Sequence, residues 1–172
     1  MLVPAIPLSE YRADVSLGPS GMRAKHGDGF LVVEAESLGP TSSNDTGNIP
    51  VAAVKEALVL GSKALLVLPL KKYSTGPGSS FAFISIGRHE QNDVCLPHAT
   101  VSRFHAFMRS TSTGWEVVDG RSQHGTWLAG QRVPAQGDGS PVHVPIGSTV
   151  RFGELRVVLF NAASLFAAVQ AR

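Results

Sequence analysis

Residues 87–126 read GRHEQNDVCLPHATVSRFHAFMRSTSTGWEVVDGRSQHGT. Short apolar runs alternate there with turn formers, the pattern of brief β-strands joined by tight connections. Gly87-Arg88 follows an apolar run over 81–86, and Asn92-Asp93 opens a short one ending near Leu96. Val101-Ser102-Arg103-Phe104-His105-Ala106 leads into a run over 104–110. Trp115 to Asp119 makes the next, and Ser122-Gln123-His124-Gly125-Thr126 follows it. If 104–110 and 115–119 form a hairpin through 111–114, the connections 97–103 and 120–125 meet at one end of the sheet. Ser102 and His124 then face a common ligand. Strict up-and-down counting puts Arg88 at the other end, unless the short strand 93–96 does not cross the whole sheet.

The same rhythm extends in both directions, with further runs at 64–70, 126–129, 149–152 and 155–160. Leu155, Val157 and Leu159 alternate with Arg156, Val158 and Phe160. Recurrent short strands predict an antiparallel sandwich or barrel. Gly 18 and Pro 11, together 29 of 172 residues, agree with a turn-rich β protein. Asn161 is a candidate cap for a short C-terminal helix over 162–171, with Leu165, Phe166 and Val169 on one face. The N-terminal part is less patterned. Phe30 to Glu36 reads as a strand with a helix-like tail, 40–49 as a loop, and 51–60 as a helix after Pro50. We therefore divide the chain into an extension, 1–62, packed on the main domain, and a β-sandwich with its C-terminal helix, 63–172.

Composition excludes several classes. Net charge is only +2, which disfavours a nucleic-acid binder. Residues 1–62 hold 4 basic and 7 acidic side chains, net −3, and 63–172 hold 11 and 6, net +5. Only the second part suits an anion. The opening MLVPAIPLSEYRADV lacks a basic stretch, and no run reaches the roughly 18 apolar residues of a membrane span. The expectation is a cytoplasmic protein with no membrane insertion. The single cysteine, Cys95, rules out an internal disulfide. Cys95, His98, His105 and His124 lack the paired spacing of a zinc site. Ser102, His105, Asp119 and His124 supply the residue types of a hydrolase triad without its G-x-S-x-G elbow. Neither a Walker loop nor a G-x-G-x-x-G after a strand is present.

Gly-Arg, Asn-Asp, Ser-Arg-x-His-Ala, a Trp-bearing strand and Ser-x-x-Gly-Thr, in this order over about 65–160, resemble a forkhead-associated (FHA) domain. The resemblance implies a β-sandwich of about eleven strands that binds phosphothreonine peptides through loops at one end. It also implies that Arg88 joins Ser102 and 123–124, which counting strands could not show. Arg88 resembles the arginine that holds phosphate, and its guanidinium fork suits phosphate oxygens. Ser102 resembles the serine that donates to the same phosphate. Arg103 occupies a position that often contacts the peptide or the phosphate. His105 matches a structural histidine, and Gly87, Gly125 and Thr126 shape turns and the following strand.

His124 departs from the pattern, which usually has asparagine before this Gly-Thr. A carboxamide carries donor and acceptor on one branch, whereas imidazole carries them on different ring atoms facing apart. Gln123 matches another contact position and offers the missing amide. The implied function is a non-enzymatic phosphothreonine-binding adaptor without metal or cofactor, its partner a Ser/Thr kinase or a kinase substrate. Thr46, with Ile49 three residues later, is a candidate phosphorylation site for self-association. The alternative is a scaffold or assembly protein that uses the fold without phosphate.

Overall fold

The runs FLVVE (Phe30–Glu34) and LRVVLF (Leu155–Phe160) are apolar on both faces, and the computed structural model shows why. It describes residues 5–38, 65–72 and 83–171. Both runs lie inside a seven-stranded sheet that is covered on each side. The strands are β1 (Ile6–Pro7), β2 (Phe30–Glu34), β3 (Leu65–Pro69), β4 (Ile84–Gly87), β5 (Val94–Cys95) and β6 (Ala106–Thr111). They continue with β7 (Gly114–Asp119), β8 (Thr126–Leu128), β9 (Gln131–Arg132), β10 (Val142–Val144), β11 (Thr149–Phe152) and β12 (Leu155–Phe160). The larger sheet has the order β1-β3-β2-β12-β11-β8-β9, and a five-stranded sheet has the order β10-β7-β6-β4-β5.

Successive residues of a strand point to opposite faces. On β2, Leu31 and Val33 enter the core between the sheets, where they join Leu68, Ile86, Met108, Val117, Phe152, Val157 and Leu159. Phe30 and Val32 point the other way, into a second core with Val67, Val158 and Phe160. Three elements cover that face: a 3-10 helix (Leu8–Leu17), α1 (Gly18–His26) and α2 (Ala162–Gln170). They contribute Leu8 and Tyr11, Met22, and Leu165 and Val169 respectively. A strand buried on both faces loses its alternation, which is why these two runs read as continuously apolar. No helix among the described residues is long and apolar enough to cross a membrane.

The mainly β architecture agrees with the reading from sequence, and Asn161 does cap α2, accepting from the Ser164 N–H at 2.8 Å. Three strands were not anticipated: β1, β9 and β10, each of two or three residues. Nor was α1, whose GPSGMRAKH carries two glycines and buries only Met22. Its propensity is poor, so packing against α2 must hold it. The expected helix over 51–60 and the loop 40–49 with Thr46 lie outside the described residues.

Candidate functional site

β5 settles the position of Arg88. It is two residues long and runs parallel to β4 at the sheet edge, so it does not separate β4 from β6. β4 instead pairs antiparallel with β6, Ile86 opposite Ala106, and β6 with β7, Ala106 opposite Asp119. The end of β4, the start of β6 and the end of β7 therefore lie side by side. Backbone bonds stitch the connections together. Arg88 N–H donates to Ser102 C=O at 2.9 Å, His89 N–H to Arg103 C=O at 3.2 Å, and Gly120 N–H to His105 C=O at 2.8 Å. Gln123 N–H then donates to Ser102 Oγ at 3.0 Å. Arg88, Ser102, Arg103, Gln123 and His124 thus belong to three connections at one end of the five-stranded sheet.

Buried polar side chains brace this end from beneath. His105 is fully buried. Its Nδ1 accepts from Ser102 N–H at 3.0 Å, and its Nε2 lies 3.1 Å from the Gly125 carbonyl. These two bonds assign the neutral tautomer with the proton on Nε2. Burial pushes the imidazole below its ordinary pKa, against an opposing pull from the Gly125 carbonyl and the Asp119 carboxylate. Asp119, also buried, accepts from Ser122 N–H (3.0 Å), Ser122 Oγ (2.6 Å) and Thr126 Oγ1 (2.7 Å), and so holds the connection 120–125. Asn92 Nδ2 donates to His89 C=O at 2.8 Å and Arg103 C=O at 2.6 Å. Asp93 accepts from Ser85 N–H, Ser85 Oγ and Lys72 Nζ at 2.8–3.0 Å.

Two glycines are required by this geometry. A Cβ on Gly87 would collide with the Arg103 carbonyl oxygen, whose close approach seats the Asn92 amide. Gly125 has φ +80°, a conformation that L side chains rarely adopt.

What this frame presents is cationic and donor-rich. Arg88, Arg103, Gln123 and His124 are exposed and Ser102 is half-buried. Among the described residues neither Arg88 nor Arg103 has a carboxylate partner. Because Ser102 Oγ accepts from Gln123 N–H, its own hydrogen is available to an incoming acceptor. Beside them Phe104 is 53% exposed, with its ring 6.0 Å from that of His89. The arrangement can bind an anion. His105 Nδ1 is taken by the Ser102 backbone N–H, so it does not pair with the Ser102 hydroxyl. His98 Nδ1 meets Thr100 N–H and Oγ1 at 3.2 and 3.0 Å, so this histidine braces the approach to the site. No three His, Cys, Asp or Glu side chains among the described residues are grouped to hold a metal ion.

Sequence reasoning did not assign Asp119 and Ser122 their role. A strand ending in Asp, followed by Ser and Thr three and seven residues on, was the available signal.

The family model for the FHA domain matches residues 84–153. The oxoglutarate dehydrogenase inhibitor of Corynebacterium glutamicum is 31% identical over 121 residues, 67% of this chain and 76% of that protein. The chain belongs to the FHA-domain family. An FHA domain-containing protein of Arabidopsis thaliana is 37% identical over 82 residues, 46% of this chain but only 5% of that protein. The structure of Mycobacterium tuberculosis EmbR in complex with a low affinity phosphopeptide is 30% identical, over 46% of this chain and 20% of that one, with a TM-score of 0.40. The chain therefore spans a small part of these two proteins and about three quarters of the inhibitor. The FHA match runs from β4 to the β11–β12 turn and contains all three connections of the site. β1 to β3, α1 and α2 lie outside it.

Proposed function

We propose that this FHA protein is a phosphothreonine-peptide-binding adaptor in Ser/Thr kinase signalling, with no catalytic chemistry of its own. The observation that carries the reading is Arg88: a solvent-facing guanidinium, without a carboxylate partner among the described residues, beside a serine hydroxyl with a free hydrogen. A phosphate dianion takes both, since the guanidinium fork matches its oxygens and the hydroxyl donates to a third acceptor position. Arg103 adds a second positive charge. Gln123 and His124 face the peptide main chain on the neighbouring connection. The frame below fixes the backbone of the three connections, so binding has only the exposed side chains left to order. Such a module acts in the cytoplasm, where its partner is a phosphorylated kinase or kinase substrate.

The test is titration calorimetry with a library-selected threonine peptide, phosphorylated and unphosphorylated, against the wild type and Arg88→Ala. The phosphorylated form should bind, and Arg88→Ala should weaken it roughly 10- to 150-fold or more, the effect of at least one lost charge-assisted contact. Equal affinity for the two peptides would refute the reading and favour a phosphate-independent scaffold.

A further inference from the structure

Arg132, Trp127, Arg151 and Arg156 stand opposite one another across β9, β8, β11 and β12. Directly opposed positions of antiparallel strands share a face. One indole therefore has an arginine on either side. Arg151 Cζ lies 4.7 Å and Arg132 Cζ 5.8 Å from the Trp127 ring centre. Stacking on an aromatic face holds a guanidinium without neutralising it. Among the described residues neither Arg132 nor Arg151 has a carboxylate partner, and Arg151 Nη1 donates to the Gly153 carbonyl at 2.8 Å. Covering the indole needs only the methylene stem of a long side chain. Two unneutralised guanidiniums on one ring go beyond that need and make a surface complementary to an anion.

The row adjoins the proposed phosphate site. Trp127 Nε1 donates to the His124 carbonyl at 3.1 Å. A Cβ built on Gly125 would stand 3.0 Å from both Arg132 Nε and Trp127 Nε1. A peptide crossing the 122–125 connection thus passes directly from Gln123 and His124 to these arginines. We propose that Arg132 and Arg151, braced on Trp127, form a second anion subsite that takes an acidic side chain flanking the phosphothreonine of the bound peptide. This rests on the phosphothreonine reading and adds a selectivity to it.

The experiment uses the full chain and fluorescence anisotropy. Its probes are a phosphothreonine peptide with neutral flanks, one with three aspartates before the phosphothreonine, one with three after, and all three unphosphorylated. One acidic flank should tighten binding roughly 1.5-fold to fivefold, the range of an exposed ionic contact. Higher salt should shrink that gain. Arg132→Gln, which replaces an exposed side chain, should reduce the gain, weakening the acidic-flanked phosphopeptide by a larger factor than the neutral one. Arg132→Gln/Arg151→Gln should erase it, and Arg132→Lys should keep part of it. No gain on either flank, or a gain that survives the double substitution, overturns the subsite. A neutral phosphopeptide that binds no better than its unphosphorylated form overturns the phosphothreonine reading and the subsite with it. The two failures are thereby told apart.

Discussion

Ser102 Oγ accepts one bond within the protein and, in the proposed function, donates a second to phosphate, and the two have different consequences when the oxygen is removed. Its Oγ accepts from Gln123 N–H at 3.0 Å, which ties the 120–125 connection to the start of β6. Its hydrogen is left for the ligand. In Ser102→Ala the bond to a charged phosphate is lost, worth about 1.5–3 kcal/mol net, so affinity should fall roughly 10- to 150-fold. The Gln123 N–H loses its acceptor as well, but Gln123 is exposed and water can replace it. That substitution should cost below about 1 kcal/mol of stability, a Tm change of roughly 2–4 °C at most. His105 still receives the Ser102 backbone N–H in the variant, so the frame under the site persists. The assay is calorimetric titration with matched phosphorylated and unphosphorylated peptides, alongside differential scanning calorimetry of the free protein. A large affinity loss confined to the phosphorylated peptide, with Tm nearly unchanged, is expected. Unchanged phosphopeptide affinity would refute the reasoning. So would an affinity loss matched by a Tm drop above 10 °C, which would make the hydroxyl structural.

Asp119→Ala should destabilise the protein by about 3–5 kcal/mol, because it strips three donors of a buried acceptor; urea denaturation reads this, and a change under 1 kcal/mol would contradict it. Gly87→Ala should cost about 1–3 kcal/mol and also weaken phosphopeptide binding, since the clash pushes on the carbonyl of Arg103 inside the site; intact binding with lost stability would separate the two. Stability should fall on acidification through the pH range below about 6.5. His105 and His98 are both held below their ordinary pKa by burial, so the unfolded chain takes up their protons first. Their contribution is complete above the unfolded value and is lost as pH drops through the lowered folded ones. Denaturation midpoints between pH 8 and pH 5 test this, and His105→Gln should flatten the slope.

The strands of the site could be read from sequence because each buries one face. Met108 and Val117 alternate inward with Phe107 and Val118 outward, and this sets period and register. The position of Arg88 was not readable that way. It depends on β5 lying outboard and parallel to β4, and two residues carry no periodicity from which direction can be inferred. β9 and α1 were missed for related reasons. β9 is two exposed residues, and α1 forms from a glycine-containing segment only because α2 and the 3-10 helix pack on it. Ser102 and Arg103 are assigned to an anion through the resemblance of Ser-Arg-x-His-Ala to the FHA motif. Asp119 has no such assignment, because a carboxylate at a strand end reads as solvated until two hydroxyls are found pointing at it.

The same separation of frame from reading surface explains how histidine can stand at 124. Among the bonds that shape this connection are those of Ser122 to Asp119, Gln123 N–H to Ser102 Oγ, the Gly125 carbonyl to His105, and the His124 carbonyl to Trp127 Nε1. None uses the side chain of residue 124. Exchanging a carboxamide for an imidazole there leaves the course of the chain, and hence the positions of Ser102 and Arg88, unaltered. On the proposed function, what changes is one hydrogen-bonding contact to the peptide main chain, worth about 0.5–1.5 kcal/mol against the larger phosphate terms. With Gln123 exposed one residue earlier and Arg132 close by Gly125, this rim presents an amide and a cation on either side of the histidine. On the proposed function, selectivity for flanking residues can therefore shift at His124 while phosphate recognition through Arg88 and Ser102, on the connections after β4 and before β6, is retained.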